Sequence, residues 1–221
     1  MRLAVITLTR GNRPAYMAEC TRSIAESLPA DSRHIVSTCI HVGFQRRRFE
    51  TTVESGAQYV AWVDDDDVVV GNALARCVEA LDKTGAGLAF THEGRMDAAG
   101  MMRVAADTTP RAITRRDIAM HPRSAHHLAV VRRACLPPVL LDQCESIGTG
   151  IDWMMRAYAG LVHGAVQVPS IGYLWRDHAG QESQTPEWNA QYAEAMPKLR
   201  ALTHWWMGAL DAPVPTYGEP T

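Results

Sequence analysis

Tyr59 to Asp67 reads YVAWVDDDD, an apolar run that ends without transition in four consecutive carboxylates. A short run of β-branched and aromatic residues is a buried strand by length and composition. Four adjacent like charges repel, so a folded chain that keeps them together needs compensating cations. A divalent ion held by hard oxygen ligands would supply them, whereas a solvated acidic turn would avoid the need. Placement favours the first reading. Open α/β sheets bind ligands just outside the carboxyl ends of their strands, and this acidic run stands at such an end, with a helix start after it at Asn72.

The flanking sequence alternates strands and helices. Arg2 to Leu8 (RLAVITL) is a first strand, followed by the polar loop Thr9-Arg10-Gly11-Asn12-Arg13. Pro14 suits the first turn of a helix, along which Met17, Cys20, Ile24 and Leu28 recur at helical spacing. A strand, a polar Gly-containing loop and a helix open a βαβ unit. His34 to Ile40 is expected to be the second strand and Gln45 to Ser55 a basic helix ending at Gly56. A third helix runs from Asn72 with Leu74, Cys77, Val78 and Leu81 on one face, and Gly85 to Thr91 is another strand. Beyond His92 the pattern weakens. Met101 to Ala105 reads as a strand in a meander, His126 to Val131 as a strand, Ile151 to Ala159 as a helix stopped by Gly160, and Ala165 to Val168 as a short strand. Residues 186–209 suggest a closing helix before a Pro-rich tail.

A chain of 221 residues suits one α/β domain, or a domain with a small appendage. The formal net charge of −2 provides no global field for nucleic acid or an anionic membrane. The five cysteines contain no C-x-x-C pair and are odd in number, and Cys20 and Cys77 fall on apolar helical phases. Buried free thiols are therefore expected rather than disulfides or zinc ligands. No stretch approaches the roughly 18 apolar residues a membrane span requires, and Leu3 to Leu8 is too short for a signal-peptide core. A soluble, cytoplasmic protein is expected.

Four blocks, in this order, resemble the inverting nucleotide-sugar glycosyltransferases of family 2, which have the GT-A fold. LAVITLTRGNRPAYMAECTRSIAESL is similar to the opening of that family, and GAQYVAWVDDDDVVVGNAL to the block with its Asp-X-Asp signature. HHLAVVRRACL with GIDWMMRAYAG resembles the acceptor-side strand and the acidic helix start. VPSIGYLWRDHAGQESQT resembles the closing block. The blocks span most of residues 3–185. The chain departs from the family where an Asp-Asp-Gly-Ser segment is usual after strand two: Thr38 to Gly43 contains no acid.

The resemblance implies an α/β fold of the GT-A type, with a mixed, mostly parallel sheet flanked by helices. It implies a single catalytic domain over residues 1–185, whose nucleotide-sugar and metal half is 1–92 and acceptor half 93–185, with 186–221 as C-terminal helix and tail. It implies transfer of a sugar from a nucleotide-diphosphate donor to an acceptor hydroxyl on a glycan, small molecule or modified nucleic acid, with inversion. The leaving diphosphate needs its charge stabilised, which Mn²⁺ or Mg²⁺ would do as a Lewis acid. By match to the signature, Asp64 and Asp66 are the metal-binding pair with Asp65 between them; the register one residue later, Asp65 and Asp67, stays open. His178 matches a position that closes over the donor and adds a ligand, with a loop histidine as the alternative. Arg176 beside it is placed on the donor phosphate. Thr9, Arg13, Asp64 and Asp65 are expected around the nucleotide. Asp152 is expected to be the general base that takes the acceptor's proton, although an Asp at that position also caps a helix. Arg46, Arg47 and Arg48 read as a solvated helix face, with phosphate binding as the alternative, and Trp153, Trp175 and Trp188 as core residues that could stack on sugars. A nucleotidyltransferase of similar fold, a metal-dependent hydrolase, and a catalytically silent glycan- or nucleic-acid-binding module are the other readings.

Overall fold

The computed structural model describes residues 1–38, 44–104, 113–120, 127–140 and 150–211. Residues 39–43 of the acid-free segment, Cys39 among them, together with Cys144 and the Pro-rich tail, lie outside these residues.

The first half follows the sequence pattern closely. Strand β1 (Leu3–Thr9) is buried at every position. Because successive side chains point to opposite faces, Leu3 and Val5 enter one core layer and Ala4, Ile6 and Leu8 the other. Helix α1 (Pro14–Ser27) starts with proline in its first turn and buries Cys20 and Ile24 against the Leu3–Val5 layer. Strand β2 (Arg33–Thr38) pairs parallel with one side of β1, and β3 (Tyr59–Trp62) parallel with the other. Between them, α2 (Phe44–Glu54) packs Phe49 into the Ala4–Ile6 layer. The short β4 (Val68–Val69) leads to α3 (Ala73–Thr84), whose apolar face, Leu74, Cys77, Val78 and Leu81, covers the same layer as α1. Gly85 closes that helix with φ 71°, a left-handed conformation that favours glycine.

The second half departs from the expected boundaries, each time for a tertiary reason. Strands β5 (Leu88–Asp97) and β8 (Ala165–Asp177) are much longer than their apolar runs because they pair with each other in parallel. Pro169 cannot donate to a ladder, and it lies where the register shifts between Phe90 and His92. A short β6 (Met102–Val104) follows, then α4 (Arg115–Met120) in the Arg-rich stretch, and β7 (Ala129–Arg132). Helix α5 (Ile151–His163) does not stop at Gly160. A Cβ there would come within 2.7 Å of Ile118 and 3.1 Å of Leu88, so this glycine permits close packing, and Gly164 ends the helix instead. Helix α6 (Pro186–Asp211) is the closing helix, and its Ala195, Leu199 and Trp206 complete the layer that holds Met154 and Leu161.

The sheet runs β2-β1-β3-β7-β5-β8-β4, with β6 on β5. It is mixed: β1 pairs in parallel with β2 and β3, and β5 with β8, whereas β7 inserts antiparallel between β3 and β5, and β4 and β6 pair antiparallel. Helices cover both faces, as expected for the α/β fold of the GT-A type. Cys20, Cys77 and Cys135 are free and buried, and burial pushes the Cys77 thiol up to about 12. Among the described residues no helix is long and apolar enough to cross a membrane.

Candidate active site

Parallel pairing of β1 and β3 brings Thr9 and the acidic run to one edge of the sheet, with Val63 N–H donating to Ile6 O at 3.1 Å. Two serines of α1 hold the far side of the run. Ser23 Oγ accepts from Val69 N–H at 3.1 Å and Ser27 Oγ from Leu74 N–H at 3.2 Å, so backbone donors left over as the chain turns into α3 are satisfied.

Each carboxylate of the run has its own surroundings. Asp65 accepts from Thr9 Oγ1 at 2.5 Å and from Arg13 Nη1 at 3.3 Å. Asp66 is paired with Arg13 and sits 3.0 Å from His178 Nε2. His178 Nδ1 accepts from Gly180 N–H at 3.1 Å, so Nε2 carries the proton that Asp66 accepts. Arg13 also reaches Gly180 O at 3.2 Å, tying the segment after β8 across the acidic run. Asp67 is 1% exposed and accepts from Tyr173 Oη and Arg176 N–H, both at 2.7 Å. Burial raises the Asp67 carboxyl well above the usual range, and the neighbouring Asp66 and Asp64 add to this. Asp66 is raised for the same first cause, with Asp64 adding and His178 and Arg13 opposing. Burial and Asp67 likewise push the Tyr173 phenol up.

The protein therefore supplies cationic and hydrogen-bonding partners of its own to the four carboxylates. Among the described residues no group of three His, Cys, Asp or Glu side chains is gathered as a metal-holding set. Asp66 and His178 stand side by side, while Asp64 turns toward Arg48 at 3.0 Å and lies 4.0 Å from His127 Nε2.

Arg176 is placed differently from the expectation. It is buried, its Nε donates to Asp66 O at 2.7 Å, Nη1 to Ala98 O at 3.3 Å and Nη2 to Glu19 Oε2 at 2.5 Å, and its guanidinium lies 4.6 Å over Tyr16. With every guanidinium nitrogen directed at the protein, it braces the floor under the acidic run rather than facing a donor phosphate.

Asp152 lies in the first turn of α5, but the residue at the N-cap is Gly150 and no side-chain cap bond forms there. The Asp152 carboxylate instead meets Arg156, one turn on, and Arg48 Nη1 at 3.5 Å. Arg156 is fully buried, and burial lowers its pKa despite the nearby Asp152. Arg48 corrects a second expectation. Arg46 and Arg47 do coat the outer face of α2, paired with Glu50 and Glu54, whereas Arg48 is 6% exposed and faces inward. Consecutive arginines on a helix point about 100° apart, so only one of the three reaches the core side. His127, stacked on Tyr173 at 4.6 Å, and Arg156 are further site residues without a sequence signature of their own.

These groups meet at a cleft of about 500 Å³. Asp64, Asp65, Asp66, Arg13 and Arg48 line it together with Asp152, Trp153, Trp175 and Trp188. Thr9, Asp67 and Arg176 support it from beneath.

No protein-family model and no curated protein matches the sequence. Solved structures do match. S. aureus TarS residues 1–349 in complex with UDP-GlcNAc superposes with a TM-score of 0.61 at 13% identity, covering 95% of this chain and 71% of that one. The same fragment in complex with UDP gives 0.59 at 13% identity, covering 95% and 70%. A further TarS structure gives 0.62 at 16% identity, covering 97% of this chain and 40% of that one. At these identities the likeness is one of fold, and the chain shares its α/β architecture with a protein that binds UDP-GlcNAc.

Proposed function

We propose that this chain is a metal-dependent, inverting glycosyltransferase that moves a sugar from a nucleotide-diphosphate sugar to an acceptor hydroxyl. The observation that carries the reading is the single cleft in which the acidic run after β3 faces Asp152 at the head of α5. The UDP-GlcNAc held by a protein of the same fold supports a donor of that class.

In this reading the donor lies at the β1–β3 edge, beside Thr9, Arg13, Asp64 and Asp65. Asp66 and His178 offer a carboxylate and an imidazole side by side, a donor pair suited to Mn²⁺ and less so to Mg²⁺, with Asp64 at the same mouth. Mn²⁺ or Mg²⁺ held there would act as a Lewis acid on the departing diphosphate. Binding it requires Arg13 and the Nε2 proton of His178 to leave Asp66. Asp152 receives the proton of the acceptor hydroxyl as its oxygen bonds to the anomeric carbon, the bond from that carbon to the phosphate oxygen breaks, and the nucleoside diphosphate departs. Attack from the face opposite the leaving group inverts the centre. Arg48 and Arg156 fix the direction of the Asp152 carboxylate, and the half-buried Trp175 and Trp188, one covered on a face by Arg95 and the other stacked on Tyr192, line the same cleft.

The test is thermal unfolding with UDP, GDP, TDP, CMP and their sugar conjugates, with and without Mn²⁺. A ligand that binds only the native state raises the melting temperature. A rise with UDP-GlcNAc or a related donor that needs Mn²⁺ and is lost in Asp66→Ala is expected. No response to any nucleotide sugar with metal present would sink the proposal.

A further inference from the structure

Asp64 and Asp152 come from distant parts of the chain and line the same cleft, and one side chain touches both. Arg48 Nη2 donates to Asp64 Oδ1 at 3.0 Å, and its Nη1 lies 3.5 Å from Asp152 Oδ1. Arg156 then meets the other Asp152 oxygen. The result is an alternating row, Asp64–Arg48–Asp152–Arg156, with two charges of each sign.

The planar guanidinium is the only cationic side chain that can hold two carboxylates in one fixed fork, since an ammonium is a single point charge on a flexible stem. Arg48 has little freedom to choose between them. Thr52 Oγ1, one turn along α2, donates to Arg48 O at 2.7 Å and accepts from Trp62 Nε1 at 3.0 Å, which locks the helix to β3. Phe49 anchors the same turn in the core. The bridge therefore spans from a backbone fixed to the donor-side strand to the first turn of α5.

We propose that Arg48 is a positioning residue that couples the donor-side carboxylate Asp64 to the acceptor-side carboxylate Asp152. This rests on the glycosyltransfer reading and deepens it. A donor that engages Asp64 shifts the partner of one Nη, and the rigid fork carries that change to the carboxylate that receives the acceptor's proton. Arg48 itself exchanges no proton.

Two measurements test this. The first needs no substrate: urea unfolding of Asp64→Asn, Asp152→Asn and the double variant, each with Arg48 intact and with Arg48→Met. Either single change leaves Arg48 one carboxylate of the bridge, whereas the double change removes both. The double variant is expected to exceed the product of the singles by roughly fivefold or more in the unfolding constant, and this excess is expected to vanish with Arg48→Met. Additive changes in both backgrounds would overturn the bridge.

The second measurement is UDP release from UDP-GlcNAc with Mn²⁺. Arg48→Lys keeps the charge without the fork, so it is expected to melt below the wild type but to fold, and to keep its KM for UDP-GlcNAc within about threefold while kcat falls about tenfold or more, as for an interaction used only in the transition state. A lysine variant with wild-type kcat would overturn the positioning role. A wild type whose melting temperature ignores UDP-GlcNAc would sink the glycosyltransfer reading and the kinetic role with it. The unfolding cycle distinguishes that failure from an absent bridge, because it involves no nucleotide.

Discussion

Strand β3 meets carboxylates at both of its ends, and the two meetings differ in kind. At its start, the Tyr59 hydroxyl donates to Asp82 at 2.5 Å, and Arg2 pairs with the same carboxylate in side chains that are 46% and 39% exposed. At its finish, Asp65, Asp66 and Asp67 are buried and Asp64 turns toward a buried arginine. Water screens the first pair, so little depends on it. Burial at the finish leaves Asp65, Asp66 and Asp67 reliant on named protein partners, and losing one strands the other, whereas the Asp64 side chain is 40% exposed and only its partner Arg48 is buried. The candidate site lies where the strand's acids are difficult to hold, at the carboxyl edge of the sheet, and the contrast can be broken experimentally.

The largest effect is expected from Asp152→Ala. It removes the carboxylate that meets the fully buried Arg156 and leaves that guanidinium without it, as well as removing one of the acids on Arg48. Breaking a buried pair from one side costs about 3–5 kcal/mol. Urea unfolding at neutral pH measures this directly. A loss below about 1 kcal/mol would place the cleft pairs in the same class as Arg2 and Asp82 and erase the contrast.

The second effect concerns pH, and it has opposite signs at the two ends of β3. Burial raises Asp67 above its ordinary 3.8, so between that value and the raised one the folded state binds more protons than the unfolded state. Stability from this group therefore falls as pH rises through the window, by about 1.4 kcal/mol for each tenfold gain in the carboxyl's proton affinity on folding. The stability difference between the wild type and Asp67→Asn, followed from about pH 4 upward, should decline with pH. A flat or rising difference would mean that the hydrogen bonds from Tyr173 and Arg176 outweigh burial.

How far the sequence reveals this site depends on which physical signal each residue leaves. The acidic run, the strand before it and Pro14 at the head of α1 are local signals, and the structure has each of them where the pattern places it, whereas Gly85, read as the start of a strand, caps α3 and the strand begins at Leu88. Asp64, Asp65, Asp66 and Asp152 reach one cleft, as the order of the motifs implies. Arg48 is hidden because a run of three arginines looks solvated, and the helical phase that turns one inward shows only through buried Phe49, Thr51 and Thr52 beside it. Arg176 next to His178 looks like a phosphate ligand. Only the register of β8 against β5, with the turn after Asp66, places it beneath the acidic run. Strands β5 and β8 are legible only in part, since a long parallel pair that also crosses a proline draws on long-range pairing rather than on its own composition.

The smallest effect tests the quiet end of β3. Asp82 is lowered, first by the hydrogen bond from Tyr59 and then by Arg2. Its folded value lies below the ordinary 3.8, so its contribution is present above that pH and is lost as pH falls through the folded value, opposite to Asp67. Because the carboxylate is more than a third exposed, screening reduces what this interaction is worth, and Asp82→Asn is expected to cost about 0.2–1 kcal/mol near neutral pH. The cost should shrink further at about 1 M salt, where charges more than about 3 Å apart are screened. A cost that exceeds this range and ignores salt would show that the Tyr59 hydroxyl, rather than the Arg2 charge, holds the carboxylate. Strand β3 would then be anchored by short hydrogen bonds at both ends, with burial alone separating the cleft from its opposite edge.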